Sequence, residues 1–280
     1  MVNSQTNTVY EASDAKIWVG TEQGVQYMIE DSIYTDPNLE SLFSKSVINI
    51  FEDSNQTLWF GTESDGVWRY SQDGKLKIYT KSDGLSGNQV RDITETADGT
   101  IWFATRDGLT SLKDNRFESY FMEQGLPENR IRDLEPDPEN AQILWIATRN
   151  GISKLDGNIF TNFSVEHGLN DPRVRDLTWH DNGDLWLATE GGVSRFRDGT
   201  FKNYLTNEGL SAEIINSAIT DREGNVWFGT FGGGASLFLG AYFENFDTNS
   251  GLSNNLVTSI TEDVNGLIWI GTYGGGLIAY

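Results

Sequence analysis

Seven tryptophans stand in seven nearly identical phrases along this 280-residue chain: "KIWVGTEQGV", "TLWFGTESDGV", "TIWFATRDGL", "ILWIATRNGI", "DLWLATEGGV", "NVWFGTFGGG" and "LIWIGTYGGG". They are Trp18, Trp59, Trp102, Trp145, Trp186, Trp227 and Trp269, at successive spacings of 41, 43, 43, 41, 41 and 42 residues. A period near forty with several short strands per copy marks a repeat architecture, whose units bury their apolar faces on one another. Within one period, residues 90 to 126, "VRDITET", "TIWFAT", "LTSL" and "RFESYF" read as strands rich in β-branched and aromatic residues. The segments "ADG", "RDG" and "KDN" turn the chain between them, and "MEQGLPEN" is the long return. No segment sustains apolar residues at helical spacing. Four strands per period and seven periods predict an all-β chain: a seven-bladed β-propeller of four-stranded antiparallel blades. It forms a single domain over residues 1–280, with blades near 1–46, 47–89, 90–130, 131–173, 174–214, 215–256 and 257–280.

The tryptophan strand is apolar on both faces, since Leu58 and Phe60 point one way while Trp59 and Gly61 point the other. That pattern suits a strand sandwiched between two neighbouring blades, so all seven tryptophans are read as structural. The small residue that follows (Gly20, Gly61, Ala104, Ala147, Ala188, Gly229, Gly271) is expected to leave room for the adjacent blade's Trp. The next residue, Thr21 through Thr272, is expected to hydrogen-bond at the turn.

With 20 basic and 41 acidic residues the chain carries a net charge of −21, which argues against nonspecific nucleic-acid binding and against adhesion to anionic lipid. It has no cysteine, hence no disulfide, no thiol nucleophile and no Cys-based zinc site. "MVNSQTNTVYEASD" has neither the basic start nor the apolar run of a signal peptide, and no stretch is long and apolar enough to insert in a membrane as a helix. The loops "DREGN", "DVNGL" and "EDSNQT" have carboxylate spacing reminiscent of calcium loops, but lack the full ligand series and match ordinary turn chemistry. The glycine runs "FGGGAS" and "YGGGLI" lack a following helix and Lys, so they read as strand connections and not as phosphate cradles. No metal or other cofactor is expected.

The repeated unit "GLSGNQVRDITETADGTIWFATRDGL" resembles the two-component regulator propeller repeat, with "GL" before an aliphatic strand, then "DG", aliphatic-Trp-aromatic, small-Thr and "DG" or "GG". The resemblance runs over essentially the whole chain. It implies a noncatalytic, periplasmic or extracellular sensory propeller of a bacterial signalling receptor, of a family in which some members recognise carbohydrates. The family supplies no binding residues to carry over. The chain is also distantly similar to streptogramin lyase, whose chemistry needs a His, a Glu and magnesium on one face. Its two histidines, His167 in "VEHGLN" and His180 in "TWHDNGD", fall in segments expected on opposite faces, so a lyase-like enzyme is the last of three readings.

If identical positions hold the fold, differing ones are free to carry function. At the entry of the innermost strand one position reads Asn7, Ile48, Arg91, Arg132, Arg175, Asn216 and Thr258. The next reads Thr8, Asn49, Asp92, Asp133, Asp176, Ser217 and Ser259, and is expected to line the central channel. The turn after "GT" or "AT" reads Glu22, Glu63, Arg106, Arg149, Glu190, Phe231 and Tyr273, on the same face. Two explanations of this arginine sector stand side by side. Arg91, Arg132 and Arg175 could pair with Asp92, Asp133 and Asp176 of neighbouring blades as a ring of ion pairs. Alternatively, with Arg106 and Arg149 beside them and Phe231 and Tyr273 across the mouth, they form a site for a small anionic or saccharide ligand, or for a partner protein's acidic segment. A protein-interaction scaffold would instead use exposed apolar residues such as Trp68 and Phe43. Finally, Tyr280 is in register with the end of a third strand, so blade 7 is expected to lack its outer strand, residues 1 to 7 not to supply it, and its edge to be open to pairing with another strand. Closure would then rest on Trp269 and Ile270 packing against Ile17 and Trp18.

Overall fold

β-Branched and aromatic residues alternate with tight turns every few residues, a pattern that only short antiparallel strands can satisfy. In the computed structural model, which describes residues 6–30, 32–140 and 142–280, these strands assemble as seven sheets in a ring. Blade 3 is representative: Val90–Glu95, Ile101–Thr105, Leu109–Lys113 and Arg116–Tyr120 lie side by side in chain order. Six blades have four strands, and the seventh has three among the described residues, Val257–Glu262, Ile268–Thr272 and Gly276–Ala279. Single 3-10 turns such as Lys81–Asp83 and Met122–Gln124 occupy the returns between blades. Each of these two ends on a glycine with φ near +120°, Gly84 and Gly125, a conformation that a side chain would strain.

The apolar core is divided among the seams. Trp186, Val193 and Tyr204 of blade 5 are buried with Ile215, Phe228, Phe238 and Phe243 of blade 6, and the Trp186 ring lies 4.9 Å from Phe238 and 5.7 Å from Phe228. Each fully buried side chain of this size contributes about 1.5–3 kcal/mol, so every seam is a small core of its own. Trp68 is only 4% exposed and Phe43 packs against the same buried cluster. They belong to the interior and do not form an exposed apolar rim, because their strand and loop face the seam between blades 1 and 2.

All seven threonines of the repeat close their turn, from Thr21 Oγ1 donating to Gly24 O at 3.1 Å to Thr272 Oγ1 donating to Gly276 O at 3.0 Å. The small residue before them has a different reason from the one expected. A Cβ on Gly61 would meet Val90 O at 2.6 Å, and one on Gly229 would meet Val257 Cγ1 at the same distance. At Gly229 the Oγ of Ser217 in the same blade is closer still, at 2.5 Å, so what needs the room is the innermost strand of the same blade together with the first residue of the next blade's innermost strand, not the next blade's tryptophan.

Residues 1 to 5, on which part of the closure argument fell, lie outside the described residues. Thr6–Glu11 forms the innermost strand of blade 1 and pairs with Ile17–Thr21. Across the seam Val9, Ile17 and Val19 are buried against Trp269 and Leu277, and Thr258 Oγ1 donates to Thr6 O at 2.8 Å. Among the described residues no backbone-to-backbone bond crosses this seam. Tyr280 exchanges backbone hydrogen bonds with Ile268 and stands where other blades place a third-strand aromatic such as Phe196 or Phe238, 4.7 Å from Phe246 and 5.7 Å from Trp227.

Candidate functional site at the channel mouth

In every blade the innermost strand slips by one residue against the tryptophan strand. Val90 pairs with Thr105 and Asp92 with Ala104, so Arg91 has no partner in the ladder. The same slip leaves out Asn7, Ile48, Arg132, Arg175, Asn216 and Thr258. A bulge of this kind re-aims its extra side chain. All seven residues line one central cavity of about 660 Å³, and in three consecutive blades the residue is Arg. Arg106 shares the face, since its backbone N–H donates to Gln89 O at 3.1 Å.

The guanidinium groups are close enough to oppose one another. Burial first, and then the charges of Arg130, Arg106 and Arg175, lower the pKa of Arg91, while Glu63 draws it the other way. Burial, followed by Arg91 and Arg175, brings Arg132 down to about 10. Arg175 is held by Glu190 at 2.8 Å and by Asn216 Oδ1 at 3.0 Å, and Glu190 also bridges to Arg173 at 2.9 Å. Among the described residues Arg91 and Arg132 have no ion pair or hydrogen bond, and the Nε of each is buried without a partner.

The ring of Arg–Asp pairs does not form. Each Asp, one residue beyond the bulge, is short and points along the seam to the next blade's backbone. Asp92 Oδ2 accepts Leu134 N at 3.0 Å, Asp133 Oδ2 accepts Leu177 N at 2.8 Å, and Asp176 Oδ2 accepts Ala218 N at 2.7 Å. Asn49 Nδ2 donates to Asp92 Oδ1 at 2.8 Å, and the charge of Asp133 adds to the rise of Asp176. Burial pushes all three carboxyls up, Asp133 to about 6, and raises Glu135 behind them, with Asp133 adding to that rise. All three aspartates line the cavity, beneath the arginines. Glu135 is a participant that the blade comparison did not name, whereas Asn49 and Glu190 stood at compared positions without being given these partners.

Of the remaining candidates, Phe231 is 54% exposed and lines the cavity, while Tyr273 is 44% exposed in the equivalent turn of blade 7. Both are on the arginine face, because Phe231 N donates to Ile214 O and Tyr273 N to Leu256 O. Arg149 is exposed and has no partner among the described residues, so it is not drawn into the cluster. His167 Nδ1 accepts Ser164 N in a return and His180 Nδ1 accepts Asn182 N in a hairpin, at opposite ends of the strands. The calcium-like loops are committed to N–H donors: Asp53 takes the Asn55 and Thr57 amides on one oxygen and the Trp59 indole N–H on the other. Asp221 and Asp263 bind Trp227 and Trp269 in the same way.

Known proteins place this geometry in context. The family model described as two component regulator propeller matches residues 41–64, 84–107, 209–232 and 251–274. Each match runs from the return, through the bulge and the tryptophan strand, to the turn bearing Glu63, Arg106, Phe231 or Tyr273. An alignment 143 positions long, covering 48% of this chain, is 26% identical to histidine kinase P4 of Formosa agariphila, of which it covers 10%. The extracellular domain of a hybrid two component system from B. thetaiotaomicron superposes over 99% of this chain and 40% of that one, with TM-score 0.82 and 23% identity. A streptogramin B lyase matches over 100% of this chain and 95% of its own, with TM-score 0.80 and 15% identity. At these identities the structural likeness establishes the fold. The chain spans less than half the length of the kinase and of the two-component protein it matches.

Proposed function

We propose, from the premise that this chain carries two-component regulator propeller repeats, that it is the noncatalytic ligand-sensing propeller of a bacterial signalling receptor, and that its ligand is an anion held at the channel mouth. Among the described residues no helix is long and apolar enough to cross a membrane, and the reading places the propeller outside the cytoplasm, as in the extracellular domain it resembles. The observation that carries the proposal is that Arg91 and Arg132 project from bulges into the channel with no counter-charge bonded to them. An unpaired buried cation is costly, so a fold retains one where something else supplies the partner. In a chain of net charge −21 the sector also draws anions to one place. Phe231, which lines the cavity from the blade next to that of Arg175, offers an aromatic face to the ligand's ring, as an acidic saccharide would present. The noncatalytic reading is supported by the two histidines, both committed to capping turns.

The test is calorimetric titration with sulfate and with glucuronate at low ionic strength. Saturable binding is expected, and Arg132→Ala should weaken it roughly 10- to 100-fold, as for the loss of a charged hydrogen bond. Absence of binding, or binding that Arg132→Ala leaves unchanged, refutes the proposal. A second interaction is proposed at the edge of Gly276–Ala279, unpaired among the described residues, where a further β-strand with an aromatic facing Phe246 would complete the blade.

A further inference from the structure

At the opposite face, the last residue of the innermost strand is Glu in blades 1, 2, 3 and 7: Glu11, Glu52, Glu95 and Glu262. These carboxylates clasp the preceding blade's hairpin. Glu52 accepts Ser13 N at 2.6 Å and Oγ at 2.9 Å, Glu95 accepts Ser54 N at 2.6 Å and Oγ at 2.8 Å, and Glu262 accepts Arg222 N at 2.8 Å. Blade 5 has Trp179 in this place. The hairpin that faces it is also longer, since Pro136 lies nine positions before Trp145, whereas Glu52 lies seven before Trp59.

Blades 4 and 6 also lack the Glu, with Pro136 and Thr220 there, but at the seam between blades 4 and 5, where Trp179 meets the longer hairpin, lies a cleft of about 390 Å³. Its walls are aromatic. Trp179 meets Trp145 edge-on at 6.0 Å and 77°, Phe163 stacks on Trp145 at 6.0 Å, and Phe196 approaches the same indole at 5.4 Å. Lys154, cross-strand from Trp145, holds its Nζ 6.0 Å over that ring and, among the described residues, has no ion pair or hydrogen bond. Its counterpart in blade 5, Arg195, is neutralised by Asp184 at 3.3 Å. The Trp179 indole N–H is buried without an acceptor among the described residues. The Asp137 carboxylate in the wall is already committed, to Trp145 Nε1 at 3.0 Å and to the Glu139 and Asn140 amides.

The uncommitted polar groups of this cleft are thus a cation and an N–H donor set on aromatic walls, with exposed Glu139 and Asp198 at the rim to disfavour multiply charged anions. We infer that the cleft is a second ligand site, separate from the channel, for a small aryl carboxylate. Its ring packs on Trp145 and Trp179, its carboxylate pairs with Lys154, and the Trp179 N–H is a further donor to it.

Ligand-observed NMR on the whole chain, with benzoate and indole-3-acetate as probes and benzylamine as the cationic control, tests this. Saturable binding of the carboxylates in preference to benzylamine is expected. Lys154→Met should weaken it about 10-fold, as for one charged contact, and Trp179→Ala should weaken it at least as much. Arg132→Ala should leave it unchanged, which separates this site from the channel. Equal binding of benzylamine by the unmodified chain, no saturable binding, or indifference to Lys154→Met overturns the inference. The benzylamine comparison needs no variant to fold.

Discussion

Replacing Arg132 by Ala should make the protein more stable, while removing most of its response to anions. The drop of the Arg132 pKa from its usual value to about 10 reflects a guanidinium taken out of water and set among Arg91 and Arg175. At about 1.4 kcal/mol per pH unit, that drop corresponds to roughly 3 kcal/mol acting against the folded state. Losing the aliphatic stem of the side chain takes back about 1–1.5 kcal/mol of packing. The net gain expected is about 1–2 kcal/mol, read from urea denaturation at pH 7 and low ionic strength. Because the folded-state pKa of this cation is depressed, the penalty is fully present at every pH below about 10 and fades as pH rises through that value. The stability difference between variant and wild type should therefore narrow above pH 10. Adding sulfate should reverse the order at neutral pH. A ligand at 100 times its dissociation constant stabilises by about 2.7 kcal/mol, a gain the wild type collects and the variant largely forgoes. A variant less stable than wild type by about 1 kcal/mol or more without sulfate, beyond the packing loss assumed here, would falsify the reading of Arg132 as an unpaired, waiting cation.

The carboxyls beneath the arginines carry the opposite sign. Asp133 is raised by burial to about 6, so its stabilising contribution is present below the unfolded carboxyl range and is lost as pH rises through 6; Asp133→Asn should flatten the melting-temperature rise between pH 7.5 and 5 by the equivalent of roughly 1–1.5 kcal/mol, and an unchanged profile would count against the raised Asp133 carboxyl. Gly61→Ala places a methyl 2.6 Å from Val90 O, a backbone atom that cannot step aside, and should cost about 1–3 kcal/mol in urea denaturation. Thr148→Val removes the hydroxyl that donates to Gly151 O and accepts Asn150 N; about 1–2 kcal/mol should be lost, and a neutral result would mean that the turn is held by strand pairing alone.

What could be read from the sequence divides along a physical line. Positions that meet the same surroundings seven times repeat the same residue, so the tryptophan strand, the threonine turn and the blade count were legible directly, and so was the three-stranded seventh blade. The purpose of the small residue was misjudged, because Gly61 and its counterparts answer to innermost-strand atoms of their own and the next blade, a closeness that no alignment of copies reveals. At the channel, comparison of the copies found the arginines and aspartates but left open whether they pair, and they do not. Complementary charge suggested Arg–Asp pairs, whereas geometry sets the two residue types apart: the long Arg leaves the ladder at a bulge, and the short Asp behind it reaches only the next blade's amide. A bulge has no compositional signature, and for that reason it was invisible. Its consequence was visible all the same. A residue skipped by the ladder has no cross-strand partner, so its identity is free of the pairing constraints that hold its neighbours. Asn, Ile, Arg and Thr can therefore stand at equivalent bulges of one ring without disturbing a single strand. The variability that singled out Arg91, Arg132 and Arg175 and the bulge that aims them into the channel are two sides of one structural fact, and a propeller of this kind can change what its channel binds without changing how its blades pack.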